Sequence, residues 1–171
     1  GIGFYGDNVG FAHGSFGGWQ PFGPARLVTK ARDNILYELD GKPALDLYKK
    51  YLGQYAKDLP GVALLYPLAI LDKEQRELGI IRTILGIKEE DSSLILAGDI
   101  PEDGFVKLMH ANTNLLVEGA EVAATQVMKK IQNIDINGLS ILISCVGRKL
   151  AMGERTEEEI EAVRSIIGKE N

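Results

Sequence analysis

The sequence predicts an α+β fold: a largely antiparallel or mixed sheet with helices packed on one face. Two observations carry this. Many short apolar runs follow one another through tight turns rather than through helices, which favours antiparallel pairing. Three segments show helical spacing with recognisable starts and stops. In a chain of 171 residues, an apolar fraction of 45% beside a charged fraction of 25% supplies enough material for a folded core.

In chain order, Gly1 to Ser15 predicts a hairpin turning at Asp7-Asn8, with Val9, Phe11 and His13 alternating with small residues. The stretch from Gly14 to Pro24 holds four Gly and two Pro in eleven residues and predicts an ordered loop rather than a regular element. Its aromatics Phe16, Trp19 and Phe22 argue for packing against something rather than for a linker. Leu27 to Thr29 and Ile35 to Leu39 read as strands around a turn at Asp33-Asn34. A helix then starts at Pro43, where the missing N–H is harmless. Leu45, Tyr48 and Leu52 form its apolar row, and Gly53 is its C-cap. Val62 to Leu71 predicts a buried strand that Pro67 places at an edge or a bulge. Gly79 to Leu85, Ser93 to Ala97 and Phe105 to Met109 predict three more strands.

Asn112 to Ile131 carries the clearest helical pattern. One row runs through Leu115, Gly119, Ala123, Val127 and Ile131, with Leu116, Ala120, Ala124 and Met128 beside it; the small residues permit close approach. Leu139 to Ser144 predicts a strong strand. The last helix opens at Thr156, whose pairing with Glu159 suggests a capping box, and Ile160, Val163 and Ile167 form its apolar face.

A net charge of −5, without clustered Lys and Arg, argues against a nucleic-acid partner. No apolar run is long enough for a membrane span, and the chain opens without a secretory leader pattern. A single cysteine, Cys145, allows no intrachain disulfide and fits a cytoplasmic setting.

Several residues are candidates for chemistry. Cys145, at a strand end and followed by Gly147, Arg148 and Lys149, has the positive surroundings that activate a thiol. Two residues between Cys and Arg do not make a phosphatase loop, and no histidine is placed beside the thiol, so a cysteine-dependent enzyme is a minor alternative to a buried cysteine. Arg148 suits a ligand carboxylate; the alternative is a surface ion pair with Glu157 to Glu159. Arg82, within an apolar strand, either faces solvent or serves a buried anion. His13 could be a haem axial ligand or a sheet histidine, and one histidine is far below a zinc constellation. The Gly14 to Gly18 run lacks the ending of a P-loop.

Three ordered motifs carry a resemblance. Trp19-Gln20-Pro21-Phe22-Gly23-Pro24-Ala25-Arg26, Leu36-Tyr37-Glu38-Leu39-Asp40-Gly41-Lys42-Pro43-Ala44, and Ser144-Cys145-Val146-Gly147-Arg148 with Gly153-Glu154-Arg155-Thr156 are similar to the signatures of FIST proteins. The resemblance implies residues 1–42 as the end of a FIST N-terminal module and residues 43–171 as a C-terminal module that stops before its final strands. It implies a sensory, non-enzymatic domain of signal transduction that binds a small ligand, amino acids or similar small anions among them. Output partners would be a histidine kinase, a cyclase, a chemoreceptor or an F-box module. Haem-dependent sensing of nitric oxide, as in some relatives, would make His13 the metal ligand. Carried onto this chain, the motifs place Arg26, Tyr37, Cys145, Arg148 and Glu154 at the site; Arg82 joins the candidates from the reading of its own strand.

Overall fold

The computed structural model describes residues 1–131 and 138–168. The chain forms two compact units, one of Trp19–Ala111 and one that joins Gly1–Gly18 to the stretch from Asn112 onward. The end of the C-terminal module, residues 169–171, lies outside the described residues.

The first unit is an antiparallel sheet wrapped on one helix. Its strands are β1 (Trp19–Arg32), β2 (Ile35–Leu39), β3 (Lys42–Pro43), β4 (Leu68–Leu71), β5 (Glu77–Arg82), β6 (Ile84–Lys88), β7 (Ser93–Leu96) and β8 (Phe105–Ala111). Their spatial order is β5-β4-β8-β1-β2-β7-β6, with β3 paired to β2. Helix α1 (Ala44–Leu52) packs Leu45, Tyr48 and Leu52 onto Val28, Leu36, Leu94 and Leu108 of the sheet, forming one apolar core. The fold is thus α+β, as the short turn-linked runs imply.

Three expectations change here. The segment from Trp19 to Pro24 is strand, because β8 supplies a ladder for it: Trp19 pairs with Ala111 and Phe22 with Leu108. The Gly and Pro residues are absorbed where the register shifts between Phe22 and Arg26. Of the run Val62 to Leu71 only Leu68–Leu71 is strand; Gly61–Leu65 winds as a 3-10 turn. β4 lies between β5 and β8, so Pro67 marks a strand start rather than an edge. The run Gly79 to Leu85 divides at Thr83 into β5 and β6, which stand at opposite edges of the sheet.

The second unit is helical. Helix α2 (Thr113–Lys130) is capped by Asn112, whose side chain accepts the Asn114 N–H at 2.9 Å. Its buried face, Leu116, Gly119, Ala120 and Ala124, follows the small-residue rows, and Ala120 and Ala124 pack with Val163 of α4 (Thr156–Ile167). Helix α3 (Val146–Met152) precedes α4 and was hidden from sequence pattern by its short length and Gly147.

No ladder forms within Gly1–Gly18, in place of the expected hairpin. A two-stranded ribbon is marginal alone, and this segment instead lies along α2. Gly14 sits against the Ala123 carbonyl and Gly18, at φ +66°, against the Leu115 carbonyl, where a Cβ would collide. Among the described residues, Leu139 to Ser144 likewise pairs with no strand. The capping box is corrected too: Thr156 lies inside the helical geometry and donates to the Gly153 carbonyl at 2.7 Å, while Glu159 turns inward. Ile160 is exposed, and Glu159, Ala162 and Val163 form the buried face.

Candidate functional site

In the sheet unit, two of the sequence motifs meet. The two-residue turn Asp40-Gly41, both residues at positive φ, links β2 to β3 and launches α1 after Pro43. Asp40 accepts the Leu27 N–H and the Arg26 guanidinium, each at 2.9 Å. Arg26 also donates to the Tyr51 hydroxyl of α1 from Nε at 2.8 Å and from Nη2 at 2.6 Å. Those bonds to Tyr51 and then to Asp40 hold the guanidinium still more firmly charged. Gly23 lies close under the Tyr51 ring, and Phe22 meets Tyr51 and His110 edge-on at 6.4 and 6.0 Å.

This cluster stands at an apolar cavity lined by Pro24, Arg26, Tyr48, Tyr51 and side chains of β2, α1, β4, β7 and β8. Its free space is about 20 Å³, room for about one water. Tyr48, one of its lining residues, donates its hydroxyl to the Tyr66 carbonyl at 2.9 Å. Burial, and then the charge of Tyr66, pushes the Tyr48 hydroxyl well above the ordinary tyrosine range.

The other expected residues of this unit lie apart from the cavity lining. Arg82 is half-buried and donates from Nε to the Asp99 carbonyl at 2.8 Å. Tyr37 lies under the Lys30 ammonium, 5.7 Å from its ring centroid.

In the helical unit, Arg148 is 7% exposed and Glu159 4%. Arg148 donates to Glu159 from Nε at 2.8 Å and Nη2 at 2.5 Å, to the Gly17 carbonyl from Nη1 at 2.5 Å, and to the Leu116 carbonyl from Nη2 at 2.7 Å. Ser144 donates its hydroxyl to the other Glu159 oxygen at 2.7 Å. The expected surface pair is therefore a buried one, because Glu159 falls on the inner face of α4. Every nitrogen of the guanidinium is engaged within the unit. Cys145 is exposed ahead of α3, its carbonyl accepting the Lys149 N–H at 3.1 Å, and Glu154 is exposed in the turn that follows α3.

His13 is exposed, stacks on exposed Phe11 at 5.9 Å, and offers its backbone carbonyl to Lys130 Nζ. A haem needs apolar walls over both faces of its ring, and these open surroundings do not fit one. Among the described residues, no three His, Cys, Asp or Glu side chains gather as a metal site.

Tyr51 and Asp40 belong to the Arg26 cluster, although the sequence did not place either of them at the site. The signal was present: Tyr51 lies one turn after Tyr48 on α1, and Asp40-Gly41 is a strong turn pair. The family model of the FIST C domain matches residues 44–171, and that of the FIST N domain matches residues 1–42.

The chain belongs to the FIST family.

FIST domains are sensory domains of signal transduction that feed output modules. The boundary between the two family matches falls inside the sheet unit of this FIST chain, where β1 and β2 share a ladder and a core with α1 and β4 to β8. An uncharacterized protein of Methanocaldococcus jannaschii is 29% identical over 160 residues, covering 84% of this chain; the chain spans 30% of that relative's length. No solved structure gives a significant match. Among the described residues no helix is long and apolar enough to cross a membrane.

Proposed function

We propose that this FIST chain contributes a binding site for a small carboxylate ligand, amino acids foremost, as the input end of a non-enzymatic cytoplasmic sensor. Arg26 at the rim of the apolar cavity carries the reading. A guanidinium held by Tyr51 and Asp40 can exchange its Asp40 partner for a ligand carboxylate, since that pair is about one-third exposed on each side (33% and 37%) and an exposed pair contributes only about 0–1 kcal/mol. The ligand's apolar part then meets Phe22 and the cavity wall.

As it stands the cavity is smaller than any amino acid, so binding requires Tyr51 to swing from its place over Gly23. Ligand energy is thereby coupled to the position of α1, which is what a sensor needs in order to pass on occupancy. A histidine kinase, cyclase or chemoreceptor is the output that such a displacement would serve.

The experiment is a thermal-shift screen of the chain against the proteinogenic amino acids and simple carboxylates. A ligand at a hundred times its Kd adds about 2.7 kcal/mol of stability. Arg26→Ala removes the shift, and Tyr51→Phe alters it. Absence of any stabilising carboxylate, or a shift unchanged in Arg26→Ala, refutes the assignment.

A further inference from the structure

A carboxylate that binds Arg26 meets a second carboxylate already there. Asp40 does not depend on Arg26 for its place. Its Oδ1 accepts the Leu27 N–H at 2.9 Å, and its own N–H donates to the Leu27 carbonyl at 2.9 Å. The next residue, Gly41, donates its N–H to the Thr29 hydroxyl at 2.9 Å. These bonds fix the turn against β1 and leave Oδ2 as the oxygen that accepts from Arg26 Nη1 at 2.9 Å. Tyr51 is held differently: among the described residues its hydroxyl bonds to Arg26 alone, through Nε and Nη2. Its swing breaks no other hydrogen bond, so the phenol can leave while Asp40 stays.

The charge count then decides which ligand is accepted. At rest, Arg26 and Asp40 sum to zero, and among the described residues Arg26 is the one charged side chain in the cavity lining. A ligand whose sole charge is a carboxylate takes Nη1, frees Asp40 Oδ2 and sets two anions against one guanidinium. Like charges about 4 Å apart near a protein surface repel strongly enough to shift an equilibrium by about tenfold or more. A ligand that also carries an ammonium group beside its carboxylate restores the sum to zero. Its N–H donors meet the freed Oδ2 in a charge-assisted hydrogen bond.

We infer that Asp40 is the specificity-determining residue of this site, selecting ligands with an ammonium beside the carboxylate and rejecting those with a carboxylate alone. The inference rests on the carboxylate reading of Arg26. Selection of this kind works by leaving the wrong ligand beside an unpaired charge, not by adding contacts to the right one alone.

Isothermal titration of the chain with matched pairs tests it: alanine and propionate, leucine and 4-methylpentanoate, phenylalanine and 3-phenylpropionate. Members of each pair differ in the ammonium alone. In the pair that binds most tightly, the amino acid binds at least about tenfold better than its deaminated partner. Asp40→Asn keeps an acceptor for the Leu27 N–H and tolerates the φ of +51° at this position. It raises the affinity of the deaminated acid and narrows the preference to less than about threefold. Arg26→Ala abolishes binding of both. Equal affinities within the pairs, in the unmodified chain, overturn the role of Asp40 and leave the carboxylate site standing. A preference that Asp40→Asn does not change does the same. Binding of neither member, or binding indifferent to Arg26→Ala, removes the carboxylate reading and the role of Asp40 with it. The comparison in the unmodified chain holds whether or not the variants fold.

Discussion

Arg148→Met is the most demanding substitution in this chain, because it removes one half of a buried ion pair. The variant keeps most of the side-chain volume and deletes the guanidinium. Glu159, 4% exposed, is left with the Ser144 hydroxyl as its remaining partner, and the Gly17 carbonyl loses the bond that ties the N-terminal segment to α3. A buried carboxylate stripped of its cation costs about 3–5 kcal/mol, a large share of the 5–15 kcal/mol that holds a typical domain together. The double variant Arg148→Met/Glu159→Leu also removes the stranded charge and recovers at least about 2 kcal/mol of that loss. Urea unfolding followed by far-UV circular dichroism reads the effect, since α2, α3 and α4 make up most of the helix. Two compact units allow two transitions, so the helical and sheet signals are fitted separately. A loss below about 1 kcal/mol for Arg148→Met, or a double variant as unstable as the sum of the singles, refutes the argument that the pair is coupled and desolvated.

Further outcomes follow from single contacts. Tyr48→Phe removes the bond to the Tyr66 carbonyl and lowers stability by about 1 kcal/mol in denaturant unfolding. Because the folded Tyr48 ionises above the ordinary tyrosine value, its contribution is fully present below about pH 10 and lost as pH rises beyond it; a pH series shows a flatter alkaline limb in the phenylalanine variant. Gly18→Ala meets both a positive φ and the Leu115 carbonyl and destabilises by more than about 2 kcal/mol, whereas Gly41→Ala, with open space at its Cβ, loses only about 1 kcal/mol. Thermal melts separate the two. Added haem gives an absorption spectrum that His13→Ala leaves unchanged, in keeping with the open surroundings of that ring.

Local chemistry made much of this fold legible. The Asp33-Asn34 turn, Pro43 ahead of α1 and the Asn112 cap of α2 act within a few residues of themselves, so sequence alone places them. The α+β class follows in the same way from turn-linked apolar runs, and three short ordered motifs place the chain in the FIST family. What sequence could not place depends on partners far along the chain. Trp19 to Pro24 breaks every local rule for a strand and is one because β8, some ninety residues later, pairs with it. Leu139 to Ser144 obeys every local rule and pairs with nothing among the described residues, because no neighbour is offered to it. Arg148 reads as a partner for a ligand carboxylate, or as a surface charge paired with Glu157 to Glu159, until α3 and α4 turn it and Glu159 inward onto one another. Arg26 was named by its motif, but its pairing with Asp40 and Tyr51 at a cavity mouth exists only once the β1 irregularity and the start of α1 are folded against the same sheet. Short-range preferences set the elements; long-range pairing and burial decided which of them meet.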